Sequence, residues 1–274
     1  KIEVWVTNTT SNFENCRNIV AFTDLGEGKA EWIYNDENVQ SAGNIGAQYP
    51  DNAVNTLLND MDYNALRSLN SVTSYLTSEG YTSGKDFEKL QKARKLKPSE
   101  YVLNSKLGFI TLNINLNANQ TLAVAYQYTV IGQDKVYQVG EFSDQSIADP
   151  NLLVTKLLKS TTINTKMPMW DLMMKNVYNI RAYQVSQNDF IMNILYLGNN
   201  NGVATGYFAD AEGELKGKSL IHLMNVDNLN SQNNPVEGGD GLFDFINGAT
   251  TNGGTINSST GRIYFPVLEP FGSH

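Results

Sequence analysis

At 274 residues the chain has room for one large domain or two ordinary ones. Twenty basic against twenty-eight acidic residues leave a formal net charge of −8, which disfavours nucleic-acid partners, and no Lys- or Arg-rich run offsets it. Hydrophobic residues at 41% suffice for a core, but no apolar stretch approaches the roughly 18 residues of a membrane-spanning helix.

The first residues, Ile2 to Val6, already alternate, and strand text runs from Glu3 to Thr7. With Arg262 to Leu268 also strand-like near the other end, the chain reads as a piece excised from something larger. A second strand, Asn18 to Thr23, stops at Asp24-Leu25-Gly26-Glu27-Gly28, a turn signal. Trp32-Ile33-Tyr34 suggests a short third strand, and residues 36 to 50 a polar loop. Ala53, Val54, Leu57, Leu58 and Met61 then follow helical spacing, with Asp51 near the start. Leu66, Leu69, Val72, Tyr75 and Leu76 predict a second helix that Gly80 ends. Phe87, Leu90, Ala93 and Arg94 predict a third after a Ser83/Asp86 capping box, ending at Pro98.

From Tyr101 to Phe142 the text is β again. Leu122, Val124, Tyr126, Tyr128 and Val130 share one face of a long strand, with Ala123, Ala125, Gln127 and Thr129 on the other. Ile131-Gly132-Gln133-Asp134 turns it back into Val136 to Phe142. Pro150 opens a helical stretch carrying Leu152, Leu153, Leu157 and Leu158. Pro168 opens another with Trp170, Met173, Met174, Val177 and Tyr178. Strands are expected over 181–185 and 190–197, with an Asn199-to-Gly202 turn after them.

The predicted class is α+β: antiparallel β-sandwich-like modules with inserted and flanking helices. One module spans 1–147 with a helical insertion at about 50–98, and a second spans 148–274; the two could also form one intertwined domain.

Few residues suggest chemistry. Cys16 is the single cysteine, so neither an intrachain disulfide nor a cysteine metal cluster can form. Gly213-Glu214-Leu215-Lys216-Gly217-Lys218-Ser219 has one residue too few between its glycines for a P-loop and reads as a solvated turn. His222 sits in apolar text, His274 is terminal, and there is no G-x-S-x-G elbow. Paired carboxylates, as in glycoside hydrolysis, cannot be singled out among twenty-eight acids. The one candidate ion site is the loop bearing Asp227, Asn230, Asp240 and Asp244. These oxygens could converge on calcium, or the same side chains could cap backbone N–H groups in Asx turns.

Several phrases are more specific. They are Val4-Trp5-Val6-Thr7-Asn8, Asn18 to Glu27, Tyr101 to Ile110, Leu122 to Tyr126, Tyr137 to Phe142, Trp170 to Asn176, Leu229 to Asn233 and Gly261 to Gly272. In this order, and nearly end to end, they resemble the SprA/Sov family of cell-surface gliding-motility proteins, the outer-membrane translocon of type IX secretion. The resemblance implies a part in protein export beside a very large β-barrel, with barrel segments, accessory proteins and exported clients as partners. It implies no catalytic residues, and no cofactor other than calcium is expected. Helical stripes do not fit a lipid-facing wall, so a folded insertion beside the channel is expected, on either side of the outer membrane. Two other readings stand beside it: a calcium-stabilised carbohydrate-binding β-sandwich and a glycoside hydrolase.

Overall fold

The computed structural model describes residues 1–27, 49–145, 147–198, 202–209, 211–246 and 253–272. The strand expected at Trp32–Tyr34, most of the loop after it, Asn199 to Asn201 of the turn, and His274 lie outside these residues. The chain divides into two compact units, Lys1–Met173 and Met174–His274, so the boundary falls later than the 147/148 division expected.

In unit 1, β1 (Ile2–Val6) and β2 (Cys16–Phe22) precede a helical excursion. This comprises a 3-10 turn at Asn52–Val54, α1 (Thr56–Asp60), α2 (Tyr63–Arg67) and α3 (Val72–Ser78). The first three starts have a local cause. Asp51 accepts from the N–H of Ala53, Asn55 from Leu58 and Asp62 from Ala65. Gly80, at φ +92°, follows α3 in the left-handed region that ends helices. Then come β3 (Phe87–Lys95), β4 (Tyr101–Asn104), β5 (Phe109–Leu112), β6 (Leu122–Thr129), β7 (Val136–Val139) and β8 (Leu153–Lys159).

The main sheet runs β1-β3-β2-β8-β6-β7, and β6 also pairs with β1. Five strands therefore close into a barrel, with β7 extending one wall. The α+β class holds, but the sheet closes on itself where two stacked sheets were expected. Nor is it wholly antiparallel, because β2 and β8 run parallel, Ile19 beside Leu153 and Phe22 beside Lys156.

A five-stranded barrel is narrow, and side chains fill it. Trp5, Ile19, Ala21, Leu90, Ala93, Ala123, Leu153 and Leu157 form the interior, joined by Met169. Trp5 is fully buried and is the largest of these side chains, while alanines on three strands leave it space. The outer wall is covered as well. Val20, Phe22, Phe87, Val139 and Val154 pack against Leu57, Leu66, Val72 and Leu76 of the excursion. Val4, Val6, Leu122 and Val124 pack against Tyr101, Ile110 and Leu112 of the β4–β5 hairpin.

Burial on both faces explains two corrections. The helix expected over 83–98 is strand β3, and the helix expected over 150–158 is strand β8. Phe87 faces outward beside Phe22 while Leu90 faces inward. A bulge then shifts the register, so that Arg17 pairs with Ala93 but Ile19 with Leu90. Lys92 takes φ +52° there, and its N–H donates to Asn18 Oδ1 at 3.0 Å. Two-face burial plus one extra residue reproduces the three-residue spacing of a helix. At β8 and the residue before it, Leu152 and Val154 serve the outer core and Leu153 and Leu157 the inner one, giving the continuous apolar run of a strand buried on both sides. The helix expected after Pro168 starts there but lasts only as a 3-10 turn, Pro168–Leu172.

Unit 2 has little regular structure. It holds β9 (Val177–Asn179), a 3-10 turn at Gly213–Leu215, the single-turn α4 (Leu220–Leu223), β10 (Ile256–Asn257) and β11 (Arg262–Tyr264), with sheet order β10-β11-β9. Its core gathers Ile221, Val226, Phe243, Phe245, Ile256, Ile263 and Phe265. The strand expected over 181–185 is absent, since Arg181 and Gln184 take φ +63° and +50°. The strand expected over 190–197 keeps its alternation but not its ladder. Phe190, Met192 and Ile194 pack inward, and among the described residues the one pairing is a bridge between Tyr196 and Thr205.

The excursion is pinned to the barrel by Arg67, whose guanidinium donates to both Glu141 oxygens and to the Leu152 carbonyl, with side chains only 6% and 11% exposed. Glu141 also accepts from the N–H of Val154. Leaving one charge of such a pair buried alone costs about 3–5 kcal/mol. Glu141→Ala is expected to lose that much in urea unfolding, and Arg67→Met with Glu141→Leu to recover most of it.

Candidate functional site

The acidic loop of unit 2 is built around two buried carboxylates. Asp227 has no exposed surface, and Asp244 is 4% exposed. Asp227 follows α4, a turn capped by Ser219, which accepts from the N–H of His222. Its Oδ1 accepts from the Asp240 N–H at 2.8 Å and its Oδ2 from the Gly241 N–H at 3.1 Å. The strand-like return at Phe243 to Phe245 brings Asp244 beneath the loop. Its carboxylate accepts from the N–H groups of Asn228, at 2.5 Å, and Leu229. Each acid thus braces the far side of the loop that the other begins. Gly239 permits the close approach: a Cβ there would lie 2.2 Å from the Asp227 carboxylate.

The other two candidates have local partners. Asn230 Oδ1 accepts from the N–H groups of Gln232 and Asn234, both at 3.0 Å, and Asp240 Oδ1 from Leu242 at 3.1 Å. All four sequence candidates therefore lie in one loop system, Asn230 and Asp240 in local Asx turns and Asp227 and Asp244 bonded to backbone N–H groups across the loop. Among the described residues no group of three or more His, Cys, Asp or Glu side chains is arranged to hold a metal ion.

Burial is the main reason the Asp244 carboxyl titrates high, at about 6, and the neighbouring charges of Asp227 and Asp240 add to it. The N–H groups of Asn228 and Leu229 pull the other way. His222 Nδ1 lies 3.1 Å from the Asp227 carbonyl oxygen, a satisfied ring nitrogen at the rim of the loop. The glycine-rich 213–219 segment is an exposed 3-10 turn, without the strand and long helix that a phosphate loop requires.

Unit 1 carries charged pairs that sequence reasoning missed. Burial works against the Glu27 carboxylate, but the Lys156 ammonium and the Leu25 N–H outweigh it and hold the acid below its usual range. Lys95 reaches Glu3, which also accepts from Ser143. Burial pushes the Asp86 carboxyl up; Oδ2 accepts from the Thr82 N–H while Oδ1 is buried without a donor. Asp86 was expected to cap a helix; it closes the turn before β3 instead. The only signal for these pairs was a charge set among apolar neighbours, as at Gly140-Glu141-Phe142. Beside the barrel, Leu158, Ile163, Met167, Met169, Trp170 and Met173 line a cavity of about 30 Å³, room for a water or a methyl group and far too little for a sugar.

The chain matches no family model and no curated protein.

Asp244 has a folded pKa of about 6 against an ordinary 3.8. Between those values the folded state holds the extra proton, so unit 2 loses stability as pH rises from about 4 to 6 and then levels off. The loss is on the order of 3 kcal/mol. Calorimetric melting across that range is expected to show this fall, and Asp244→Asn to flatten it.

Proposed function

We propose that this chain is a non-catalytic structural and interaction module of an outer-membrane protein-export channel of the type IX kind. The observation that carries the reading is where the resembling phrases fall. Val4-Trp5-Val6 lies in β1, Asn18 to Phe22 in β2, Tyr101 to Ile110 in the β4–β5 hairpin, Leu122 to Tyr126 in β6 and Tyr137 to Val139 in β7. These segments close the barrel and clothe it, so the likeness concerns a scaffold.

Two features support a place beside the channel. The barrel is filled by Trp5, Leu90, Leu153 and Leu157 and offers no conduit. Its outward Val20, Phe22 and Val154 face Leu57, Leu66 and Leu76 of the same chain, so that wall is turned to protein and away from lipid. Contact with channel segments, accessory proteins or exported clients falls to exposed apolar tips. Leu107, at the β4–β5 turn, is 76% exposed, and Ile131, at the β6–β7 turn, is fully exposed.

The test substitutes those tips in the intact export machinery of the source cell. Leu107→Asp and Ile131→Asp touch no core residue and should change stability by less than about 0.5 kcal/mol. Export of client proteins and co-purification of channel components are expected to fall in the double variant. Normal export with an unchanged complex would overturn the reading.

A further inference from the structure

The segment from Phe190 to Leu195 alternates like a strand but pairs with no other segment among the described residues. Its burial alternates with the period of two that an extended chain imposes. Met192 and Ile194 pack on the unit 2 core, and Phe190 stacks edge-on against Phe243 and Phe245. Ile191 and Leu195 point out, 81% and 60% exposed. Between Ile191 and Leu195, no backbone N–H or C=O makes a hydrogen bond to any described residue. Tyr196 exchanges both of its bonds with Thr205. In a strand, successive residues direct these groups to opposite edges. The edge away from Thr205 therefore presents the N–H and C=O groups of Ile191, Asn193 and Leu195.

Only another extended backbone offers donors and acceptors at that repeat. The sequence itself indicates which one. Phe190-Ile191-Met192-Asn193-Ile194-Leu195-Tyr196 reads nearly the same in both directions about Asn193. An antiparallel copy centred there sets aromatic opposite aromatic, Ile191 opposite Leu195, Met192 opposite Ile194, and Asn193 opposite itself. Such a self-complementary pairing is what a two-fold axis requires.

We propose that residues 190–196 form the interface of a homodimer, in which Ile191, Asn193 and Leu195 of each copy exchange backbone hydrogen bonds across a two-fold axis at Asn193. The two-fold keeps each copy's inward row on its own core and sets the outward Ile191 and Leu195 side chains of the two copies side by side. It also removes an edge that would otherwise invite uncontrolled pairing.

The test uses the chain as it stands, with sedimentation over a concentration series. The native chain is expected to pass from monomer to dimer as concentration rises. Hydrogen exchange should slow at Ile191, Asn193 and Leu195 and not at Met192 and Ile194, whose amides face the other edge. Ile191→Lys with Leu195→Lys sets like charges opposite each other twice and should leave a monomer with unchanged melting. Ile191→Lys with Leu195→Glu sets Lys opposite Glu twice in this register alone and should restore the dimer. A chain monomeric at every concentration overturns the proposal. So does a dimer indifferent to the Lys/Lys change, or protection outside the three amides. Protection that appears only when a foreign strand-forming peptide is added assigns the edge to another protein and overturns it equally.

Discussion

Closure of the barrel is the constraint on which unit 1 rests. Five strands enclose so little space that small inward side chains must make room for the large ones. Ala21, Ala93, Ala123 and Ala125 are the small residues, set among Ile19, Leu90, Leu153 and Leu157, and Trp5 is the largest side chain. The same economy reaches the wall. At Gly140, with φ +77°, a Cβ would sit 3.1 Å from that of Ala125 and 3.3 Å from the Thr155 Cα, so β7 leaves the sheet at a point where only glycine passes easily. A closed barrel has no free edges of its own, but its strands here are apolar outside as well as inside. The excursion of residues 49–80 and the β4–β5 hairpin follow from that second requirement.

Polar residues finish what closure leaves open. The edge of β7 would be the natural place for another strand to add. Asn52 occupies it, accepting from the Gly140 N–H and donating to its carbonyl, and Asp51 accepts from Gln138. Two side chains thus stand in for a strand and block the edge. Arg67 and Glu141 lock the excursion at the opposite end of that region. Lys159 donates to the carbonyls of Asn117, Ala118 and Gln120, holding the loop that leads into β6.

Unit 2 solves the same problem by other means. With few ladders to satisfy its backbone, it uses side chains: Asp227 and Asp244 take up the N–H groups of a long loop, and Asn230 shapes its tip. Burying two carboxylates so near each other has a cost, visible in the raised titration of Asp244. Convergent oxygens on a flexible loop suggest an ion from sequence alone. In this fold the bonds run from those oxygens to backbone N–H groups, locally for Asn230 and Asp240 and across the loop for Asp227 and Asp244.

Much of the architecture was legible in the residues. Alternation in Ile2 to Val6, the two faces of Leu122 to Thr129, the turn at Ile131 to Asp134 and the stop at Gly80 are local patterns with local causes, and β1, the β6–β7 hairpin and the end of α3 follow them. The residues Asp227, Asn230, Asp240 and Asp244 were also found as one loop. Tertiary structure alone decided which strands were buried on both faces, and so turned the helical-looking spacing of Phe87, Leu90 and Ala93 and the leucine run at 152–158 into β3 and β8. It alone chose the parallel pairing of β2 with β8, the partner of Arg67, and the donors that the loop acids accept. The reason is physical. Periodicity records how many faces of a segment meet apolar surroundings, whereas closure, partner choice and hydrogen-bond assignment depend on groups that are far apart along the chain and meet only once it has folded.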